Sequence, residues 1–208
     1  MPGRASAQAA LGTRRSILRA AADVASAEGL DSVTIGRLAD RLGMSKSGVV
    51  GQFGSKEQLQ LETVRLVVEE FRARVWEPVQ RFSPGLPRLL AACEAWVEYG
   101  VSPGFEGGCL LTQATFDYDG RSGPVHDFIA EHRERWREVL RRDLREAVDS
   151  GDLPSGSDVE QLVYGLEALA AGITPARLFH GDDRAGEVAL GAMRRLLGVA
   201  PDPEAADR

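Results

Sequence analysis

Apolar positions recur at helical spacing along almost the whole chain, and no stretch shows the period-two alternation of a strand. Ile17, Ala21, Val24 and Ala25 predict a first helix from about Thr13 to Glu28, closed by Gly29 and Leu30 in the order of a glycine C-cap. Leu61, Val64, Val67, Val68, Phe71 and Val75 predict a long helix from Ser55 to about Trp76, which Glu77 and Pro78 should stop. After the breaker cluster FSPGLP at 82–87, further helices are predicted over 86–101, 109–118 and 124–149. Another should run from a capping box at Ser157 and Glu160 to about His180, kinked by Pro175, and a last one should follow a cap at Asp182. Residues 1–11 and the tail from Pro201 lack this pattern and are expected to fray, with Arg4 free to act as a basic arm. The fold class is therefore all-α, with about nine helices.

Two of the nine are short, and they lie together in residues 34–56. Thr34 can cap the first, with Val33 stapled on Leu38, and Gly43 supplies the left-handed residue that ends it. Ser45 can cap the second, Gly54 ends it, and Ser55 with Gln58 opens the next helix as a capping box. Leu38, Ala39, Leu42, Val49 and Phe53 suffice for one shared inner face, which leaves Lys46, Ser47, Gly48, Gly51 and Gln52 outward. Two such helices joined by a glycine turn form a helix-turn-helix, whose second helix enters the DNA major groove, although an ordinary helical hairpin has the same outline.

Charge distinguishes the two readings. The formal net charge is -6. Residues 1–56 nevertheless carry eight basic and four acidic side chains, a balance of +4 that leaves -10 for the rest. Both lysines of the chain, Lys46 and Lys56, fall in this stretch. A basic end on an acidic protein suits a module that faces phosphates.

Thr34, Leu38, Ala39, Leu42, Gly43, Ser45, Lys46, Ser47, Gly48, Val49, Phe53, Ser55, Lys56, Glu57 and Leu59 resemble, in identity and spacing, the DNA-binding domain of the tetracycline-repressor (TetR) family over roughly residues 12–60. The chain departs from that family at Val50 and Gly51, where an aromatic residue followed by a bulky one is usual, so a phosphate-contacting hydroxyl is missing. The resemblance implies a helix-turn-helix domain at 1–54 and an effector-binding and dimerisation domain at 55–208, with 55–78 as the linking helix and 201–208 as a tail. It further implies a repressor, released from a double-stranded operator when a small-molecule effector favours a conformation in which the two reading heads no longer fit.

Residue chemistry fills in the roles. Lys46 suits phosphate or the edge of guanine, Gln52 suits adenine, Ser47 is adaptable and Gly48 allows close approach. Thr34, Arg37 and Lys56 are better placed for phosphates, Lys56 beside a helix start at Ser55, while Ser45 holds the recognition helix by its cap. A helix-turn-helix protein reads successive grooves as a symmetric dimer, and the last two helices are the expected interface, through Leu162, Gly165, Leu166, Leu169, Gly172, Val188, Ala192 and Leu196. Closure of the monomer's own core is the alternative for those residues. Trp96, Tyr99, Phe105, Cys109, Thr112, Phe116, His132 and Trp136 are candidate contacts for a largely apolar effector, each equally readable as core.

Composition narrows the remaining classes. Hydrophobic residues make up 43% and the mean hydropathy is -0.19, with no apolar run long enough for a membrane span and no signal-peptide core in residues 1–13, so a cytoplasmic protein is expected. Cys93 and Cys109 lack metal-ligand spacing and are expected to be buried small hydrophobes, so no cofactor or metal is implied. His126, His132 and His180 show no catalytic spacing, and neither a nucleophile elbow nor a P-loop occurs, which argues against an enzyme. A helical interaction module that has lost specific DNA binding remains the rival, motivated by Val50 and Gly51.

Overall fold

The computed structural model describes residues 2–199, with side chains from Gln8 onward. Nine helices and no strands occur among the described residues: α1 (Pro2–Glu28), α2 (Ile35–Leu42), α3 (Lys46–Phe53), α4 (Lys56–Phe71), α5 (Leu86–Val101), α6 (Leu110–Tyr118), α7 (Pro124–Asp149), α8 (Val159–Leu178) and α9 (Ala185–Leu196). The all-α expectation holds. α1 begins at Pro2, not at Thr13, because the Ala-rich lead-in has high helix propensity even without a cap signal. The tail from Pro201 and the side chain of Arg4 lie outside the described residues.

The chain packs as two compact units: residues up to Glu70 with Gly104–Glu131, and Phe71–Pro103 with the residues from His132. Packing thus follows a different line from the expected functional division at residue 54.

In the first unit, Ile17, Ala21, Val24 and Ala25 of α1 meet Leu38 of α2, Val49 and Phe53 of α3, and Leu59 and Val64 of α4 in one buried cluster. Burying each of the larger side chains stabilises by about 1.5–3 kcal/mol. Leu110, Ala114 and Tyr118 of α6 and Val125 and Ile129 of α7 complete the same cluster. The loop before α6 is locked to α1, since the Gly107 amide donates to Ser26 Oγ at 3.1 Å and a Cβ on Gly107 would overlap the Ser26 carbonyl. Arg121, just after α6, holds the Asp31 carboxylate with contacts of 3.1 and 2.8 Å.

In the second unit, α5, α8 and α9 pack mutually, and small residues set their spacing. A Cβ on Gly165 would stand 2.6 Å from Leu196 Cδ2, and one on Gly186 would stand 2.5 Å from Val101 Cγ2. Arg88 and Asp143 form a buried, two-pronged ion pair, with Arg88 Nε donating to Oδ2 at 2.7 Å. Arg133, Arg137 and Arg141 of α7 reach Glu160 and Glu167 of α8 as a ladder of ion pairs.

Three further helix boundaries differ from expectation. Glu77 and Pro78 do not stop the helix that begins at Lys56: a π-helical turn over Arg72–Trp76 continues into a last turn at Glu77–Val79. In that turn the Glu77 amide donates to the Arg72 carbonyl, five residues back. The widened ladder makes room for a proline, which lacks an N–H and would otherwise strike the carbonyl four residues before it. Asp158, not Ser157, caps α8, its carboxylate accepting from the amides of Glu160 and Gln161. Asp182 lies before α9, accepting from the Arg184 amide at 2.9 Å, and the helix starts at Ala185.

Candidate nucleic-acid interface and regulatory core

The helix-turn-helix is built by its caps. Thr34 accepts from the Arg37 amide at the start of α2, and Ser45 accepts from the Gly48 amide at the start of α3. Between them Gly43 stands at φ 64°, with its amide bonded to Asp40 O and the Met44 amide to Ala39 O, which satisfies the last carbonyls of α2 and reverses the chain. Ser55 accepts from the Gln58 amide at 3.1 Å and so opens α4, although the Gln58 side chain turns to Glu62 and completes no box.

On α3, Val49 and Phe53 are buried, while Lys46, Ser47, Val50 and Gly51 face solvent. Gly48 and Gln52 are half-buried at its flanks. Lys46 lies over α2, where its Cε would be 3.4 Å from a Cβ on Gly36, so the small residue gives the lysine its path. Lys56 Nζ donates to Asp31 O at 2.8 Å, which holds the ammonium at the start of α4. Arg37 donates to the Glu28 carboxylate through its two terminal guanidinium nitrogens, one at 2.7 Å. The hydrogen bond from Arg37 holds the Glu28 carboxyl below its usual range. An exposed pair of this kind is worth little, so a phosphate can replace Glu28 as the partner of Arg37.

Arg14 of α1 is a functional candidate that the sequence reading missed. Its guanidinium donates to the Gln52 carbonyl near the end of α3, lies 4.3 Å from the centroid of the Phe53 ring, and reaches Glu62 at 3.5 Å. A cation at a helix C-terminus suits the macrodipole, and here it ties α3 to α1. Its position between Thr13 and Arg15 carried no periodic signal, so only the three-dimensional contact reveals it.

The effector candidates separate into two groups. Trp96, Tyr99, His132 and Trp136 meet around Phe71 in the second unit, with ring centroids 6.4, 5.3, 5.7 and 5.2 Å from it, all edge-on. Trp76 of the π-helical turn adds a further edge contact to Trp136 at 6.4 Å. The buried Trp136 indole N–H has no hydrogen-bond partner among the described residues. Burial, aided by Arg133 and Arg135, lowers His132 to about 4, so its imidazole is neutral at physiological pH. The other four candidates belong to the first unit: Phe105 and Cys109 are buried there, Thr112 is half-buried and Phe116 is 68% exposed. Phe105 lies beneath Arg19, a core contact of that unit. Burial pushes the Cys93 thiol up to about 12 and leaves it unreactive.

The candidate interface residues are likewise sorted by burial. Leu166 is fully buried within the second unit, and Gly165 makes room for Leu196 of the same chain, so both serve the fold of the protomer. Leu162, Leu169 and Ala192 are half-buried, whereas Gly172, Val188 and Leu196 are exposed. α8 also presents Tyr164, Ala168 and Pro175 at its surface, and Phe179 caps its C-terminal end, with Tyr164 72% and Phe179 83% exposed. Tyr164 and Phe179 continue the stripe beyond the residues named from sequence.

Comparison with known proteins addresses both units. Residues 17–63 match the family model for bacterial regulatory proteins of the tetR family, and residues 85–193 match that for the tetracyclin repressor-like C-terminal domain. The chain is 27% identical over 194 residues to the HTH-type transcriptional regulator SrpR of Pseudomonas putida, covering 91% of this chain and 87% of that protein. A TetR transcriptional regulator from Chloroflexus aurantiacus has the same fold, with a TM-score of 0.80 at 20% identity over 92% of this chain and 95% of its own. AibR, solved in complex with isovaleryl coenzyme A and operator DNA, also shares the fold, with a TM-score of 0.73 at 18% identity over 86% of this chain and 96% of its own.

Proposed function

The chain belongs to the tetracycline-repressor family of DNA-binding regulators, whose C-terminal domain binds ligand and which are not enzymes, and on that premise we propose that it is a cytoplasmic, homodimeric repressor, released from a palindromic operator by a small, largely apolar effector. The observation that carries this reading is α3 itself. Its two ends are fixed by Ser45 and Gly54, its inner side is anchored by Val49 and Phe53, and its outward side is Lys46, Ser47, Val50 and Gly51. In this reading residues 1–54 form the reading head and the rest of the chain regulates it. Lys46 and Gln52 contact base edges or phosphate, Ser47 adapts and Gly48 permits approach. Thr34, Arg37 and Lys56 hold phosphates, Arg37 by exchanging Glu28 for the DNA.

The exposed stripe of Tyr164, Gly172, Phe179, Val188 and Leu196 supports a second copy as the partner, since two reading heads must meet grooves about 34–36 Å apart. The ring cluster around Phe71 supports an apolar effector, because Trp96, Tyr99, Trp136 and a neutral His132 offer ring surface and no charge. That AibR was crystallised with both a ligand and operator DNA makes such coupling reasonable for this fold. The effector acts by binding the DNA-incompetent conformation more tightly, so operator DNA must weaken effector binding by the same factor.

Selection of duplexes from a random pool tests the proposal. The recovered sequences should contain an inverted repeat with half-sites about 10 bp apart, centre to centre. Recovery of unrelated sequences, or of none, would favour an interaction module without specific DNA binding.

A further inference from the structure

α3 turns Lys46, Ser47, Val50 and Gly51 outward, at the spacing that shares one helix face, over a buried Val49 and Phe53. A cation, a hydroxyl and a glycine suit a surface that meets nucleic acid. Val50 is different in kind. It is 41% exposed, adds little to the core, and as a β-branched residue within an eight-residue helix lowers helix propensity. The surface on its C-terminal side is open: a Cβ on Gly51 or Gly54 would meet nothing within 4 Å. A duplex can therefore approach the Val50 methyls from the side of Gly51 and Gly54 without meeting a side chain of those two residues.

The major groove displays one apolar group, the C5-methyl of thymine. We propose that Val50 is a specificity-determining residue whose methyls pack on the C5-methyl of one thymine in each operator half-site, with Gly51 giving the clearance for that approach. This rests on the operator binding proposed above. Contacts from Arg37 and Lys56 to phosphate position the head without reading sequence, whereas an apolar contact at Val50 distinguishes thymine from cytosine.

The probe is the duplex recovered by selection, with each half-site thymine replaced in turn by deoxyuridine, which removes only the methyl. At one position, replacement in both half-sites should weaken wild-type binding about fourfold per half-site, roughly 15-fold together. Val50→Ala should abolish that difference, and Val50→Thr, which keeps one methyl, should retain part of it. Circular dichroism melting should show both variants folded, because the site is on the surface. The inference is overturned if no thymine is methyl-sensitive in the wild type, or if Val50→Ala is as sensitive as the wild type. Failure to select any duplex would overturn the operator reading and the role of Val50 with it, an outcome distinct from binding without methyl sensitivity.

Discussion

Replacing Gly51 by alanine should separate the stability of the recognition helix from its function. Gly51 lies inside α3 with a negative φ, and a Cβ there would meet no atom within 4 Å. Alanine thus gains helix propensity with no steric cost, worth about 0.5–1 kcal/mol, and for a chain of this size a melting temperature about 1–4 °C higher. Gly48 provides the internal contrast: its Cβ would stand 3.2 Å from Ser45 Oγ, the cap of the helix, so Gly48→Ala should gain less. Against DNA the sign reverses. If backbone and bases approach closely at Gly51, an added methyl is overpacked by about 1–3 kcal/mol, or roughly 5- to 150-fold in affinity. Differential scanning calorimetry and fluorescence anisotropy on the selected duplex measure the two effects side by side. A Gly51→Ala protein that melts higher and binds undiminished would refute the close approach, and one that melts lower would refute the open helical geometry at that position.

Other perturbations follow from particular contacts. Arg88→Met leaves the Asp143 carboxylate buried without its partner and should cost about 3–5 kcal/mol, whereas adding Asp143→Leu should recover most of the loss; urea denaturation of both variants reads this directly. His132 is depressed to about 4 from an unfolded value near 6.5, so the unfolded chain binds the extra proton and stability should fall as pH drops from about 6.5 to 4. That acid-side slope should flatten in His132→Gln, and an imidazole that titrates near 6.5 by NMR in the folded protein would contradict the burial. Phe179→Asp places a charge on the exposed end of the α8 stripe and should convert dimer to monomer in sedimentation velocity while the circular dichroism spectrum is unchanged; an unaltered dimer would exclude this face.

What the sequence disclosed was local in origin. Thr34, Gly43, Ser45 and Gly54 act through bonds to their own neighbours, so their roles could be read from residue type and spacing. The Trp96, Tyr99, His132 and Trp136 group, named for its aromatic and apolar character, also comes together around Phe71. Tertiary effects were hidden. Pro78 looked like a terminator, since nothing in its neighbours announces the π-helical turn that accommodates it. Gly165 read as a contact surface for a second backbone, whereas it serves Leu196 of its own chain. That Phe105, Cys109 and α6 pack with α1 was hidden as well, because the Gly107 contact to Ser26 spans 81 residues of sequence. Arg14 was silent for the same reason, its partner Gln52 lying 38 residues away.

Paired reading heads should engage duplex DNA electrostatically. If each head commits Arg37, Lys46 and Lys56 to phosphates, six cations displace counterions, and the logarithm of the association constant should fall with the logarithm of salt concentration at a slope of about -5. Affinity for the selected duplex should therefore drop on the order of a thousandfold between 50 and 200 mM salt. Binding that is absent at the lowest salt, or flat across the range, would contradict it.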